Sequence, residues 1–304
     1  MRIVVIGAGA LGVYFGARWI EVGADVTFLV RENRAGQIKE HGIKINSPYG
    51  DYVVGNPKVI TDPEEVEAVD LVLVSVKGYH LQGTIEQLKA LTAKGAYVLP
   101  VLNGMEHIQI LQDALGKESV IGGLSFIFAT LNDKGHVEHS GDAHQLIFGP
   151  LDASQKDICS KMEEIAEPAV MDSRNSADIS RELWKKYMFI NALSGVTTAA
   201  NLAIGPIRDN KETFHVVEMI LREMKMLANA YSVRLMEADV EAARQNISKL
   251  DPDATSSMHK DRRKGLTLEV DHLHGGAVRL AEAVDLDVPY TRAILGIIKP
   301  FEHG

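Results

Sequence analysis

The sequence predicts an α/β fold: a doubly wound, mostly parallel sheet in the N-terminal part, followed by an all-α C-terminal domain. Three observations predict it. Short apolar runs alternate with segments of helical spacing through the first hundred or so residues. A glycine-rich turn joins the first such run to the first helical segment. Strand-like patterning stops near Asn175, and the chain beyond it is helical in pattern almost to its end. The expected domains are therefore residues 1–175 and 176–304.

Each element follows from local pattern. Ile3 to Ile6 is an all-apolar strand, Leu11 to Val22 has helical spacing, and Asp25 to Val30 is a second strand. Gly42 to Gly55 alternates about the turn-rich SPYGD and reads as an inserted hairpin. Lys58 to Ile60 is a third short strand before a capping-type helix start, TDPEE. VDLVLVSV (Val69 to Val76) and YVLPVL (Tyr97 to Leu102) are near-continuous apolar runs, as strands covered on both faces require. Gly122 to Gly149 holds shorter, turn-punctuated strands, expected at a mixed or antiparallel edge of the sheet. A helix over Ser154 to Ala166 and a short VMDS strand complete the first domain; the second includes a long helical segment from Gly265 to Val284. There are no internal repeats and no low-complexity tracts.

Composition bounds the function. At ~150 residues per domain, 304 residues make about two domains. A single cysteine, Cys159, excludes an internal disulfide framework and fits a reducing compartment. The balance of 32 basic against 41 acidic side chains, a net charge of −9, argues against nucleic acid as the main partner. The apolar N-terminus has its glycines too early for a secretory leader and no Ala-x-Ala site after them, and no run of 18 uncharged apolar residues occurs. The expectation is a cytoplasmic protein that does not enter membranes.

The motifs then narrow the chemistry. Gly7-Ala8-Gly9-Ala10-Leu11-Gly12 is a G-x-G-x-x-G placed directly after a strand and opening a helix, the placement that a dinucleotide-binding Rossmann turn needs. Gly7 permits the tight turn, Gly9 lets a pyrophosphate approach the backbone, and Gly12 lets helix and strand pack closely, with the helix N-terminus toward the phosphates. At the end of the second strand, an NAD or FAD site usually carries an acid for the ribose 2′-hydroxyl. Here the strand runs into Arg31, with Arg34 close by, and a guanidinium suits a 2′-phosphate; NADPH/NADP+ is the expected cofactor. Glu32, one residue later, should point away from the ribose. Lys77 and Asn103 end two further strands, so Gly7, Arg31, Lys77 and Asn103 are expected along the edge where open α/β sheets bind ligands. In the helical half, Lys186, Ile190 and Ser194 fall on one stripe. For a helical lysine the ordinary reading is a solvated side chain, and for Ser256 or Ser257 it is a helix N-cap.

Together these pieces resemble the ketopantoate reductase (2-dehydropantoate 2-reductase) family over nearly the whole chain: GAGALG, Arg31, VSVKGYH, LNGMEHI, ELWKKYMF, TSSMHKDRRKG and LEVDHLHGG stand in the family's order. The resemblance implies an N-terminal Rossmann-type domain and a helical C-terminal domain in a 6-phosphogluconate-dehydrogenase-like arrangement. It implies NADPH-dependent reduction of 2-dehydropantoate (ketopantoate) to pantoate, in pantothenate and coenzyme A biosynthesis. Gly7 to Gly12, Arg31, Lys77, Asn103 and Glu269 would hold the cofactor; Asn103, Lys186, Ser194 and Ser257 would meet the substrate. Lys186 would be the catalytic general acid, stabilising the developing alkoxide and then protonating it. No metal is required. The partner is a small 2-oxo acid, and the oligomeric state stays open between a homodimer through the helical domain and a monomer.

The chain departs from the family's pattern where Asn is common one and two helical turns after the lysine: these positions are Ile190 and Ser194, and Ala254 stands three residues before Ser257. Such a pocket suits a less polar 2-oxo acid, or the usual one held by other contacts. Two alternatives therefore stand beside the main reading: an NADP-dependent reductase of another 2-oxo or β-hydroxy acid, and a protein that binds NADP(H) without turnover. His136, His139 and His144 read as surface loop histidines, Cys159 as a packing residue in a helix, and Met219, Met224 and Met226 as helix core.

Overall fold

The computed structural model describes residues 1–304. The chain divides into two compact units, residues 1–102 with 107–179, and residues 103–106 with 180–304.

The first unit is built on a parallel sheet whose strands are β1 (Arg2–Ile6), β2 (Asp25–Leu29), β5 (Lys58–Ile60), β6 (Leu71–Val74) and β7 (Tyr97–Pro100), in the order β5-β2-β1-β6-β7. The direction of winding reverses beside β1, which pairs with β2 on one side and β6 on the other; Val5 faces Phe28 and Leu73 across the two ladders. The near-continuous apolar runs are explained by burial on both faces. Ile3, Val5, Val26, Phe28, Leu71 and Leu73 enter one core, while Val4, Ile6, Leu29, Val72 and Val74 enter the other with Leu88 and Leu91 of helix α3 (Ile85–Thr92).

The remaining helices of this unit are α1 (Ala10–Glu21), α2 (Glu32–His41), α4 (Glu106–Leu115) and α5 (Lys156–Ala166). The inserted hairpin forms as β3 (Ile43–Asn46) and β4 (Tyr52–Val54). The TDPEE start yields only a single turn, Pro63–Glu65, capped by Asp62.

The segment Gly122 to Gly149 departs from expectation. Its strands, β8 (Gly122–Leu131) and β9 (Val137–Gly149), do not extend the parallel sheet; they make a second one, β10-β9-β3-β4, in which β8 also pairs with β9 and β10 is Asp172–Asn175. An isolated bridge between Val98 and Val120 is the backbone link to the first sheet. The reason is α1. Val137, Leu146 and Phe148 of β9 and Ile43 and Ile45 of β3 share a core with Val13, Tyr14 and Phe15, so the helix is covered by both sheets and every residue from Gly12 to Trp19 is buried. Even Arg18 is wholly buried, its guanidinium held by Glu21 (2.7 Å) and the Gly50 carbonyl (2.7 Å).

Of the histidines expected on a surface loop, His136 does lie in the loop before β9, its Nε2 2.9 Å from the His41 carbonyl, but His139 and His144 are part of this sheet. His139 is only 6% exposed: its Nε2 donates to the Ala143 carbonyl (3.0 Å) and its Nδ1 accepts from Ser47 Oγ (2.8 Å). His144 stacks on Tyr49 at 3.9 Å and hydrogen-bonds Tyr14 Oη at 2.9 Å. Together they strap the β3–β4 turn to β9. No group of three or more His, Cys, Asp or Glu side chains is arranged to hold a metal ion.

The second unit is helical: α6 (Ile179–Ala200), α7 (Ile204–Asp209), α8 (Lys211–Ala230), α9 (Glu237–Lys249), α10 (Ser257–Arg263), a π-helical turn (Asp271–Gly275), α11 (Gly276–Glu282) and α12 (Pro289–Ile298). Its core gathers Trp184, Tyr187 and Met188 of α6, Val217, Ile220, Leu221 and Met224 of α8, and Leu273, Ala277 and Ile294. Met224 is buried as expected, but Met226 lies about 200° round α8 from it and is 42% exposed. The expected helix from Gly265 begins only at Val270, because Gly265, at φ +63°, ends α10 and the Leu268 amide is drawn to the Glu302 carbonyl (2.8 Å). Glu223, 2% exposed, caps α12 by accepting from the Tyr290 and Thr291 amides and the Thr291 hydroxyl at 2.7–2.8 Å. No helix is long and apolar enough to cross a membrane.

Candidate active site

In the first unit, the loops after β1, β2 and β6 leave the sheet at its carboxyl edge, beside the point where winding reverses. They carry Gly7, Arg31 and Lys77. The glycine turn has three distinct steric demands. Gly7 lies at φ +96°, and a Cβ there would stand 2.8 Å from the backbone of Ser75 and Val76. A Cβ on Gly12 would stand 2.3 Å from both the Gly7 carbonyl and Ser75 Oγ. Gly9, in contrast, has no protein atom within 4 Å of its Cβ position. So Gly7 and Gly12 are glycines because the protein needs the room, and Gly9 leaves the backbone bare toward open space. Gly9 is also the N-cap of α1, whose first turn holds no acidic side chain, so the Ala10, Leu11 and Gly12 amides keep a positive end free for an anion. These features fit a dinucleotide pyrophosphate.

Ser75, which the sequence reading passed over, ties the edge together. Its hydroxyl donates to the Gly7 carbonyl at 2.7 Å and its amide to Ile6 at 2.9 Å. Arg31 is exposed and caps α2 in extended conformation. Arg34 is committed elsewhere: its guanidinium donates to the Ala8 carbonyl (3.0 Å), the Gly135 carbonyl (2.9 Å) and Gln37 Oε1. It braces the glycine turn instead of standing beside Arg31 as a second free cation. Lys77 is half-buried and opens the turn Gly78–His80. Burial, with Arg31's positive charge second, holds the His80 imidazole below its usual range.

The second unit holds the other candidates. Lys186 of α6 is 7% exposed, so it is not the solvated helix lysine that its position permits. Burial lowers its ammonium pKa to about 8, and the negative charge of Glu269, itself 4% exposed, opposes that fall. Ser194, two turns along α6, is buried, and Ile190 between them packs against the helical core. Asn191 is turned away from this stripe and wholly buried. Asn103 follows β7 but groups with the helical unit, next to Gly104, where φ is +101° and a Cβ would stand 2.9 Å from His272 Nε2. The two serines divide their roles: Ser256 is the N-cap of α10, accepting from the His259 amide at 3.1 Å, while Ser257 is the exposed first residue of that helix.

The family description "Ketopantoate reductase PanE/ApbA" matches residues 3–153, and "Ketopantoate reductase PanE/ApbA C terminal" matches residues 178–302. The chain belongs to the ketopantoate reductase family. Its members are oxidoreductases acting on CH–OH groups, and so is this chain. It is 32% identical over 302 residues to the uncharacterized oxidoreductase YkpB of Bacillus subtilis, covering 99% of each. It is 28% identical over 300 residues to the 2-dehydropantoate 2-reductase of Halobacterium salinarum, covering 98% of each. The crystal structure of 2-dehydropantoate 2-reductase from Geobacter metallireducens superimposes with a TM-score of 0.91 at 25% identity, covering 99% of both chains. The family's two-part fold is therefore the one described above.

Proposed function

We propose that this member of the family reduces a 2-oxo acid with NADPH, that 2-dehydropantoate is the substrate, and that Lys186 is the proton donor. The observation that carries the reading is the burial of Lys186 with Glu269 as its counter-charge: a buried ammonium with a pKa of about 8 is charged at neutral pH yet close to giving up its proton. The Gly7–Gly12 turn with its bare Gly9, and the exposed Arg31 at the end of β2, support a phosphorylated dinucleotide in the first unit. Lys77 and Asn103 would hold its nicotinamide portion.

Bound there, the nicotinamide supplies the hydride. The chain's own part is electrostatic. As the ketone carbon is reduced, negative charge grows on its oxygen; the Lys186 ammonium stabilises that charge and then transfers a proton to it, leaving the neutral amine. Glu269 keeps the lysine protonated beforehand. Asn103 orients the ketone, and the hydroxyls of Ser194 and Ser257 donate to the substrate carboxylate. The reading places the enzyme in the reducing cytoplasm, in keeping with the free buried thiol of Cys159.

A second substrate reading has its own observation. Ile190 and Ala254, where the family's pattern often has Asn, both pack against the apolar helical core. They favour a 2-oxo acid with a less polar tail than 2-dehydropantoate. The test is NADPH oxidation with a panel of 2-oxo acids: a kcat/KM for 2-dehydropantoate at or above the rest supports the first reading, and a preference for a more apolar acid replaces it with the second.

A further inference from the structure

We infer that Tyr187, Asn191 and His274 are positioning residues, a buried latch that sets the Lys186 ammonium against the Glu269 carboxylate. The inference rests on the proposed role of Lys186. Tyr187 follows Lys186 on α6, and its hydroxyl donates to the Leu273 carbonyl in the π-helical turn at 2.6 Å. One helical turn further along α6, the backbone carbonyl of Asn191 accepts from His274 Nε2 at 3.0 Å. The Asn191 side chain donates back to the Tyr187 carbonyl at 3.0 Å. Two hydrogen bonds thus join α6 to consecutive residues of the π-turn. That turn is tied to Glu269 in its own backbone, because the Leu273 amide donates to the Glu269 carbonyl at 2.9 Å. Lys186 is one residue from one end of the latch, and Glu269 is one turn from the other.

Three further features mark the arrangement as built. A Cβ on Gly195 would stand 2.5 Å from His274 Nε2, so glycine is what lets the imidazole reach the α6 backbone. The π-turn is a widened helical turn of a kind that recurs at functional sites. Tyr187, Asn191 and His274 are all at most 2% exposed, while Asn191 Oδ1 and His274 Nδ1 are buried without a hydrogen-bond donor, a cost that packing alone would not favour. Burial also pulls the His274 pKa down to about 4, so its Nε2 proton stays in place over the pH range in which Lys186 titrates.

The latch predicts a readout that a purely structural contact would not move. Freeing the π-turn lets Glu269 withdraw its charge, and Lys186 then loses its proton at lower pH. The experiment is the pH profile of kcat for ketone reduction in wild type, Tyr187→Phe, His274→Leu and His274→Gln, with NADPH affinity and melting temperature measured alongside. Tyr187→Phe and His274→Leu should move the alkaline limb down by about 0.5 pH unit or more and lower kcat at pH 8 about twofold or more, with NADPH Kd unchanged. Gln can donate from nearly the same place as His274 Nε2, so His274→Gln should restore the limb. Lower activity or melting temperature with the limb unmoved in the folded Tyr187→Phe protein overturns the latch. A wild-type profile with no limb near pH 8 overturns instead the role of Lys186 on which it rests.

Discussion

The Lys186 ammonium and the Glu269 carboxylate are buried in the same unit, and the carboxylate's charge offsets part of the desolvation that brings the lysine down to about 8. A general acid must carry its proton when the substrate arrives. The rate of ketone reduction should therefore be level below that pKa and fall tenfold per unit above it, as the ammonium form is depleted. Lys186→Ala removes the donor: kcat should drop about 10²–10⁴-fold, with NADPH affinity near normal. A variant that keeps its kcat would show that the proton comes from elsewhere.

Glu269→Gln tests the partner with the sign fixed in advance. Glu269 raises the lysine's pKa, so its neutral replacement leaves desolvation unopposed and the alkaline limb should shift to lower pH. The loss of kcat should accordingly be greater at pH 8 than at pH 6. An upward shift would mean that the carboxylate acts on something other than the lysine.

Arg31 is exposed at the end of β2, with no acidic residue before it on that loop to take a ribose 2′-hydroxyl. Arg31→Ala should raise the NADPH KM at least about tenfold, the scale of one charge-assisted phosphate contact. The NADH KM should change little. Because the site is open to water, added salt should weaken NADPH binding to wild type more than to the variant. Equal losses for both cofactors would remove the assignment of Arg31 to the 2′-phosphate.

Much of this was legible in the chain because the relevant physics is local. A strand, a glycine turn and a helix that follow one another in sequence must meet in space, so Gly7, Gly9, Gly12 and Arg31 could be placed before any fold was known. Helical spacing likewise put Lys186 and Ser194 on one stripe. What local pattern could not supply was the partner of each exposed-looking group. His139 reads as a surface loop residue until a second sheet, assembled by pairing Ile45 with Val137, takes it in and covers the other side of α1. Arg34 looks like a second phosphate ligand until Gly135, a hundred residues away, claims it. Gly195 gave no signal at all, because its reason is the ring of His274.

The glycine turn offers a paired test. Gly12→Ala puts a methyl group 2.3 Å from the Gly7 carbonyl and Ser75 Oγ, so β1, α1 or the Ser75 bond must shift. Stability should fall by about 1–3 kcal/mol, read as a lower melting temperature without cofactor. Gly9→Ala meets no protein atom, so the cofactor-free protein should melt as wild type does. Its methyl group enters the space assigned to the pyrophosphate, and NADPH Kd should rise. If Gly9→Ala binds NADPH normally, the dinucleotide does not approach this turn.

The adjacent serines of α10 separate structure from binding in the helical unit. Ser256 is buried, and its hydroxyl accepts from the His259 amide and lies 3.2 Å from Thr197 Oγ1. Ser256→Ala strips the N-cap and should cost about 1 kcal/mol of stability. Ser257 is exposed, and its side chain caps nothing, so Ser257→Ala should leave the melting temperature unchanged. If its hydroxyl holds the substrate carboxylate, the same variant should raise the KM for the 2-oxo acid several-fold, with kcat at saturation and NADPH Kd preserved. Thermal melts and initial rates on the two variants give opposite patterns if the roles are as assigned; a Ser257→Ala enzyme with an unchanged KM would leave Ser257 as an ordinary first-turn residue and move carboxylate recognition to other groups.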